Sequence, residues 1–252
     1  MPLCRFTAAS ACDRAVTALA WSPVHWDLFV AGYGSLDPGN PITGLICCHS
    51  LKNASRPEFQ LSLPSGVLSL DFCTAAPHLL AVGCQDGSVH VVDVGMQHSC
   101  PDICSSSLLT YHHTQEVWQV KWESGAGEVL RFLSASGDGS IARWQLGPGR
   151  QLCREDLWPN FATAGDTSGA AGGERFGCCC CLDCQRMEPS MLLVGTQEGT
   201  VFKCCIDAAP GKETPFLCVS PAEPASCPPS SAAQLGLPVE GGIHKLGICQ
   251  GH

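Results

Sequence analysis

Nineteen cysteines are the side chains in this sequence most able to do chemistry. They crowd together at Cys178–Cys184, where four are consecutive and Cys181 and Cys184 make a Cys-x-x-Cys pair. A thiolate is both a nucleophile and a soft metal ligand, so such a run invites a zinc-binding or redox-sensing reading. The spacing argues against it. In an extended segment successive side chains point to opposite faces, so four adjacent thiols cannot converge on one ion. No second pair stands at the spacing that would complete a tetrahedral site. Cys47–Cys48 and Cys204–Cys205 fall in other strand-like segments, where a free cysteine acts as a small buried apolar residue. The set as a whole suits a reducing compartment, and a cysteine-rich zinc or redox sensor remains the rival reading.

The other candidates reduce to architecture in the same way. Asp86-Gly87, Asp138-Gly139 and Glu198-Gly199 offer three acids that invite a catalytic-carboxylate reading. Each stands beside a glycine between two apolar runs, the position of an acid that satisfies backbone donors at a hairpin tip. His112-His113 has no carboxylate or thiol at ligand spacing and reads as a solvent-exposed loop pair. The Gly-rich stretch Gly165–Gly173 lacks the Gly-Lys-Ser/Thr ending of a phosphate loop, and Gly211-Lys212-Glu213-Thr214 has Glu where the hydroxyl is needed. No catalytic residue, cofactor-binding residue or metal ligand is assigned. Trp21, Trp122 and Trp144 fall at repeated large apolar positions and are expected in the core. Trp26 and Trp118 lie nearer loop ends and are candidates for an interaction surface.

These residues are positioned by a unit written several times. One copy has apolar runs at Val67–Phe72, Leu79–Gly83 and Val89–Val94, with the acid-glycine pair between the last two. The next copies are Val117–Trp122, Leu130–Ala135 and Ile141–Leu146, then Cys178–Cys184, Met191–Val194 and Thr200–Ile206. A looser copy comes first, over residues 16–52, with a loop at Gly34–Thr43 in place of the tight turn. Fourth strands are expected at Phe59–Leu63, Ser107–Tyr111 and Phe216–Val219. Helical periodicity is almost absent, so the chain reads as all-β. Repeats at periods near 40–60 residues mean a solenoid or a propeller. The expected organisation is a lead-in at 1–14 and blades at 15–64, 65–111, 112–150 and 175–206. A Gly- and Ala-rich flexible excursion is expected over 147–176, and a Pro-rich, disordered tail over 207–252.

Composition bounds the partners. The net charge is −9 and charged residues make up 15 %. An acidic chain of this kind is not expected to bind nucleic acid or an anionic membrane surface, either of which needs a basic patch. No apolar run approaches the roughly 18–20 residues of a membrane span. The N-terminal residues are broken by polar side chains before a signal-peptide core forms, so none is expected.

The acid-glycine turn followed by an alternating strand that ends near Trp144 resembles the WD repeat of β-propellers. Val92 and Cys204 replace that tryptophan in the neighbouring copies, and its following acid survives only as Asp93. The segments Asp27–Gly34, Ser50–Asn53, Ser65–Val67, Val117–Trp122 and Leu193–Gly199 occur in collinear order over residues 15–206. Together they resemble the axonemal dynein intermediate chains, with the outer-arm chain nearest. Ala76–Gly83 suits the inner-arm WD-repeat intermediate chain equally. The resemblance implies a partial WD-repeat β-propeller of about four blades. It implies a non-catalytic scaffold that docks the dynein heavy chain beside the other intermediate chain and associates with microtubules through the complex. The implied location is cytoplasm, cytoskeleton and the axoneme of a cilium or flagellum, in support of motility. The extension that binds light chains in the family is not matched, so that property is not carried over. The pattern stops after Cys205, short of a ring of about seven blades, and the chain reads as a truncated member. A generic WD adaptor without a dynein role is the alternative.

Overall fold

A computed structural model describes residues 4–37, 39–40, 42–95, 103–105, 112–123, 129–147, 151–158, 178–185, 188, 190–206 and 217–218. The described residues hold sixteen strands. The first eight are β1 (Ala15–Trp21), β2 (Leu28–Gly34), β3 (Gly44–Ser50), β4 (Phe59–Leu63), β5 (Val67–Phe72), β6 (Leu79–Cys84), β7 (Val89–Asp93) and β8 (Ile103–Ser105). The rest are β9 (Val117–Trp122), β10 (Leu130–Ser136), β11 (Ile141–Leu146), β12 (Leu152–Trp158), β13 (Cys179–Cys184), β14 (Met191–Thr196), β15 (Val201–Cys205) and β16 (Leu217–Cys218). They form four antiparallel four-stranded sheets, each a meander of consecutive strands. The first strand of each sheet lies beside the first strand of the next: β1 against β5, β5 against β9, and β9 against β13. The sheets therefore radiate from a line of innermost strands, as propeller blades do.

Two local rules recur and set this arrangement. Gly87, Gly139 and Gly199 all take positive φ, of 84°, 78° and 83°, a conformation that glycine adopts without steric cost. The second rule is a register shift in every innermost pairing, so that Thr17, Leu68, Trp118 and Cys180 are each the extra residue of a bulge. A bulge bends its strand and increases the twist, which helps the innermost strands pack side by side.

The core lies between sheets rather than within any one of them. Val30, Ile46, Leu61 and Leu63 of the first sheet meet Val67, Phe72, Val82 and Val92 of the second. Leu79, Ala81 and Val89 of the second meet Val117, Trp122, Phe132 and Trp144 of the third. Leu133 and Ile141 of the third meet Cys179, Leu182, Val194 and Cys204 of the fourth. Each full burial of such a side chain is worth about 1.5–3 kcal/mol. Close approach depends on small residues: a Cβ added at Gly32 would lie 2.6 Å from Val67 Cγ1, and one at Gly83 2.6 Å from Val117 Cγ1.

Several expectations are corrected here. The third sheet's fourth strand is β12, inside the stretch read as a flexible excursion, because its backbone pairs in register with β11 from Leu146↔Leu152 onward. The second sheet's fourth strand is β8 rather than Ser107–Tyr111, which lies outside the described residues. Trp21 is exposed, not core, since no sheet among the described residues covers the leading face of β1. The tail expected over 207–252 lies outside the described residues apart from β16, which pairs with β15.

Candidate functional site

The acid-glycine turns line one rim of the array, and each is clasped to the start of its own sheet. Gln85, Gly137 and Gln197 donate backbone N–H bonds to the carbonyls of Gly66, Glu116 and Cys178, at 2.8, 2.9 and 2.9 Å. Asp86 Oδ1 accepts the Ser88 N–H at 3.0 Å and Asp138 Oδ1 accepts the Ser140 N–H at 2.9 Å. Glu198 is exposed in the fourth sheet's turn.

The third sheet adds a buried polar network behind its turn. The Trp144 indole N–H donates to Ser134 Oγ at 2.7 Å, and His113 Nε2 lies 2.6 Å from the same oxygen. His113 Nδ1 lies 2.8 Å from Ser140 Oγ, which donates to Asp138 Oδ1 at 2.5 Å. One proton order satisfies every group. Trp144 donates to Ser134, whose hydroxyl donates to His113 Nε2, and His113 Nδ1–H donates to Ser140 and so to Asp138. Burial works against the Asp138 carboxylate, but bonds from His113, Ser140 and the Thr114 N–H outweigh it and hold its pKa well below the usual range. His113 is thus fully buried, not the exposed loop residue its sequence context suggests. A seryl hydroxyl at 134, facing a tryptophan ten residues on and a histidine four before the strand, was the signal available.

The second sheet keeps a smaller polar chain at its turn, where Ser88 Oγ donates to Asp86 Oδ1 at 2.5 Å and lies 3.1 Å from His90 Nε2. By strand register Val82 and Val92 stand where Ser134 and Trp144 do, and both are buried. In the first sheet His49 takes the tryptophan's place. Its ring stacks on Phe29 at 5.3 Å and meets Phe6 edge-on at 5.6 Å, while both ring nitrogens are buried without a hydrogen-bond partner. Burial pushes its pKa down.

The cysteines mostly behave as apolar filling. Burial pushes Cys84, Cys179 and Cys204 up to about 12, and Cys47, Cys48 and Cys184 up to about 11. Cys205, expected to be buried beside Cys204, is exposed because it falls on the opposite face of β15. Cys178 and Cys180 lie on one side of the bulged strand, with sulfurs 3.9 Å apart. Donation by the Cys180 thiol lowers the Cys178 pKa and raises that of Cys180. Among the described residues no group of three or more His, Cys, Asp or Glu side chains could hold a metal ion.

The two candidate surface tryptophans are not brought together. Trp118 is half-buried at the bulge of β9, on the rim of the acid-glycine turns. Trp26 is 75 % exposed in the β1–β2 loop, at the other end of the innermost strands. Lys52 Nζ lies 5.7 Å from its ring centre and pairs with Asp27 at 2.7 Å, and that ammonium holds the Asp27 pKa down.

Sheets stacked through their innermost strands, with clasped acid-glycine turns and a His–Ser–Trp–Asp network in the third, define a partial WD-repeat β-propeller. The fold agrees with Sqt1 of Chaetomium thermophilum, which superposes with a TM-score of 0.56 over 77 % of this chain and 44 % of that one at 15 % identity. No family model matches the sequence. The chain belongs with the axonemal dynein intermediate chains. It is 37 % identical over 215 residues to the 78 kDa intermediate chain of the flagellar outer arm of Chlamydomonas reinhardtii. It is 37 % identical to mouse dynein axonemal intermediate chain 1 and 33 % identical to zebrafish dynein axonemal intermediate chain 4. These matches cover 81, 81 and 76 % of this chain but only 30, 29 and 25 % of the relatives, so the chain spans less than a third of their length.

Proposed function

We propose that the chain is a non-catalytic scaffold subunit of an axonemal dynein complex, working at the axoneme of a cilium or flagellum. Its partners are the dynein heavy chain and a companion intermediate chain, with microtubules reached through the complex. The observation that carries this reading is the 37 % identity to those intermediate chains over 81 % of this chain. The chemistry is binding: stacked sheets hold two rims of loops rigidly, and side chains on the rims dock a partner. Trp26 is the anchor on its rim, since a large exposed aromatic beside a lysine–aspartate pair has the makings of an interface hot spot. Trp118 supplies the smaller contact on the opposite rim.

Affinity capture of the tagged chain from ciliated cells tests this. Dynein heavy chain should be recovered, and Trp26→Ala should lower its recovery about tenfold or more, as loss of a hot-spot aromatic does. Recovery of other proteins with no dynein subunit among them would favour a generic WD adaptor and overturn the dynein reading.

A further inference from the structure

Strand register gives every position in one sheet a counterpart in the others, and the counterparts expose two faces that the interior sheets bury. On the leading side, Val67, Val117 and Cys179 are fully buried against the preceding sheet, while their counterpart Val16 is 51 % exposed. Leu19 is 67 % exposed where Val120 and Leu182 are buried and Leu70 is half-buried, and Trp21 is 60 % exposed where Phe72 and Trp122 are buried and Cys184 is half-buried. On the trailing side, Val30, Ala81 and Leu133 are buried against the following sheet, but Leu193 is 50 % exposed. Ile46, Val89 and Ile141 are buried, but Val201 is 46 % exposed. Lone exposed apolar residues need no explanation. Two contiguous sets at positions buried or half-buried in every other copy do.

The two faces also complement each other in hydrogen bonding. Between the second and third sheets, Asp71 receives two bonds from Trp122. The backbone N–H meets its carboxylate at 2.7 Å, and the indole N–H meets its carbonyl at 3.0 Å. Asp183 stands at the position of Asp71 on the bare trailing face, and Trp21 stands at the position of Trp122 on the bare leading face. Asp183 is more than half exposed, with only a 3.7 Å contact to Lys121. The acceptor and the donors of one more junction of the same kind are therefore both present, at opposite ends of the stack. The lead-in takes the outer part of the leading face and leaves the innermost strand free for such a junction. Phe6 covers Phe29 and His49, and Ala8 and Ala11 cover Ala31, Tyr33, Leu45 and Cys47, leaving β1 bare. It is the innermost strands that make the main contacts between neighbouring sheets.

We propose that a second copy of this chain docks front to back, the fourth sheet of each copy packing on β1 of the other. Leu193, Val201 and Asp183 of one copy then face Val16, Leu19 and Trp21 of its partner. Two such junctions related by a two-fold axis close a ring of eight sheets, at the upper end of what propellers adopt. This inference is independent of the dynein reading and is tested on the purified chain alone.

Sedimentation equilibrium of the full chain should give a dimer of the 26.5 kDa protomer at micromolar concentration. Trp21→Glu and Leu193→Glu change exposed side chains, so both variants should fold, and each should weaken dimerisation about a hundredfold. Mixing them should restore a heterodimer, because the fourth sheet of the Trp21→Glu chain still meets an intact β1 on the other. A wild-type chain that stays monomeric at tens of micromolar would overturn the proposal. So would a Trp21→Glu variant that still dimerises, since that means fourth sheets paired face to face, and so would open-ended polymers, since the ring then does not close.

Discussion

Ser134 holds one oxygen between two nitrogen-bearing rings, so its loss strands both of them. Ser134→Ala leaves the Trp144 indole N–H and His113 Nε2 buried without a partner, and each orphaned group costs about 1–3 kcal/mol. Urea unfolding should show a loss of about 2–6 kcal/mol, with Ser134→Thr, which keeps the hydroxyl, near wild type. His49 offers the opposite experiment, because its nitrogens are already unpaired. Its folded-state pKa lies below the unfolded value of about 6.5, so the unfolded chain takes up the proton first. Stability should therefore be complete above that value and fall as pH drops from about 7 toward 5. His90, also pushed down by burial, adds to the same slope. His49→Phe should flatten part of this fall. An unchanged pH profile would mean that His49 is not held neutral in the fold. Chemistry at this scale was the least legible part of the sequence. His113 and His49 both look like ordinary polar residues until the fold buries them, one in the loop before β9 and the other under Phe6 on the leading face of the first sheet.

The turns, by contrast, were legible as elements, because the same acid-glycine pair recurs between the same two apolar runs. Their glycines separate two costs that usually come together. A Cβ at Gly199 meets nothing within 4 Å, while one at Gly87 would lie 2.1 Å from the His113 carbonyl oxygen. Both residues have nearly the same positive φ. Gly199→Ala should thus report only the backbone strain, about 1–2 kcal/mol. Gly87→Ala should add the clash and lose markedly more, and equal losses would show that the chain after β8 shifts freely away from the turn. Of the outer strands, β4 and β16 were legible, at Phe59–Leu63 and within Phe216–Val219, whereas β8 and β12 were not, for a physical reason. An edge strand pairs on one side only and needs no alternating buried pattern. β12 carries Arg154, Glu155 and Asp156 within seven residues, and β8 is three residues long. Pairing with a well-marked neighbour, not the composition of the strand itself, makes each of them a strand.

In the stack of four sheets, the second and third are packed on both faces, whereas the first and fourth each have one face with exposed apolar residues. In repeat architectures stability is close to a sum of unit terms and nearest-neighbour interfaces, so sheets with two interfaces should open last. Local opening free energies follow buried contacts. Amides of β6 and β10, the second strands of the interior sheets, should therefore be the slowest to exchange in native-state hydrogen exchange. Those of β14 and β15 should exchange at least tenfold faster, a gap of about 1.4 kcal/mol. The first sheet should fall between them, because Phe6, Ala8 and Ala11 cover its outer strands while β1 stays bare. Phe6→Ala should then speed exchange in β2 and β3 without affecting β10. Uniform exchange across all four sheets would instead mean that they open as one cooperative unit, with the interfaces too strong for the ends to fray separately. The gradient also separates a lone stack from a closed ring. If two copies join front to back, protection of β14 and β15 should rise with protein concentration while that of β6 and β10 stays fixed.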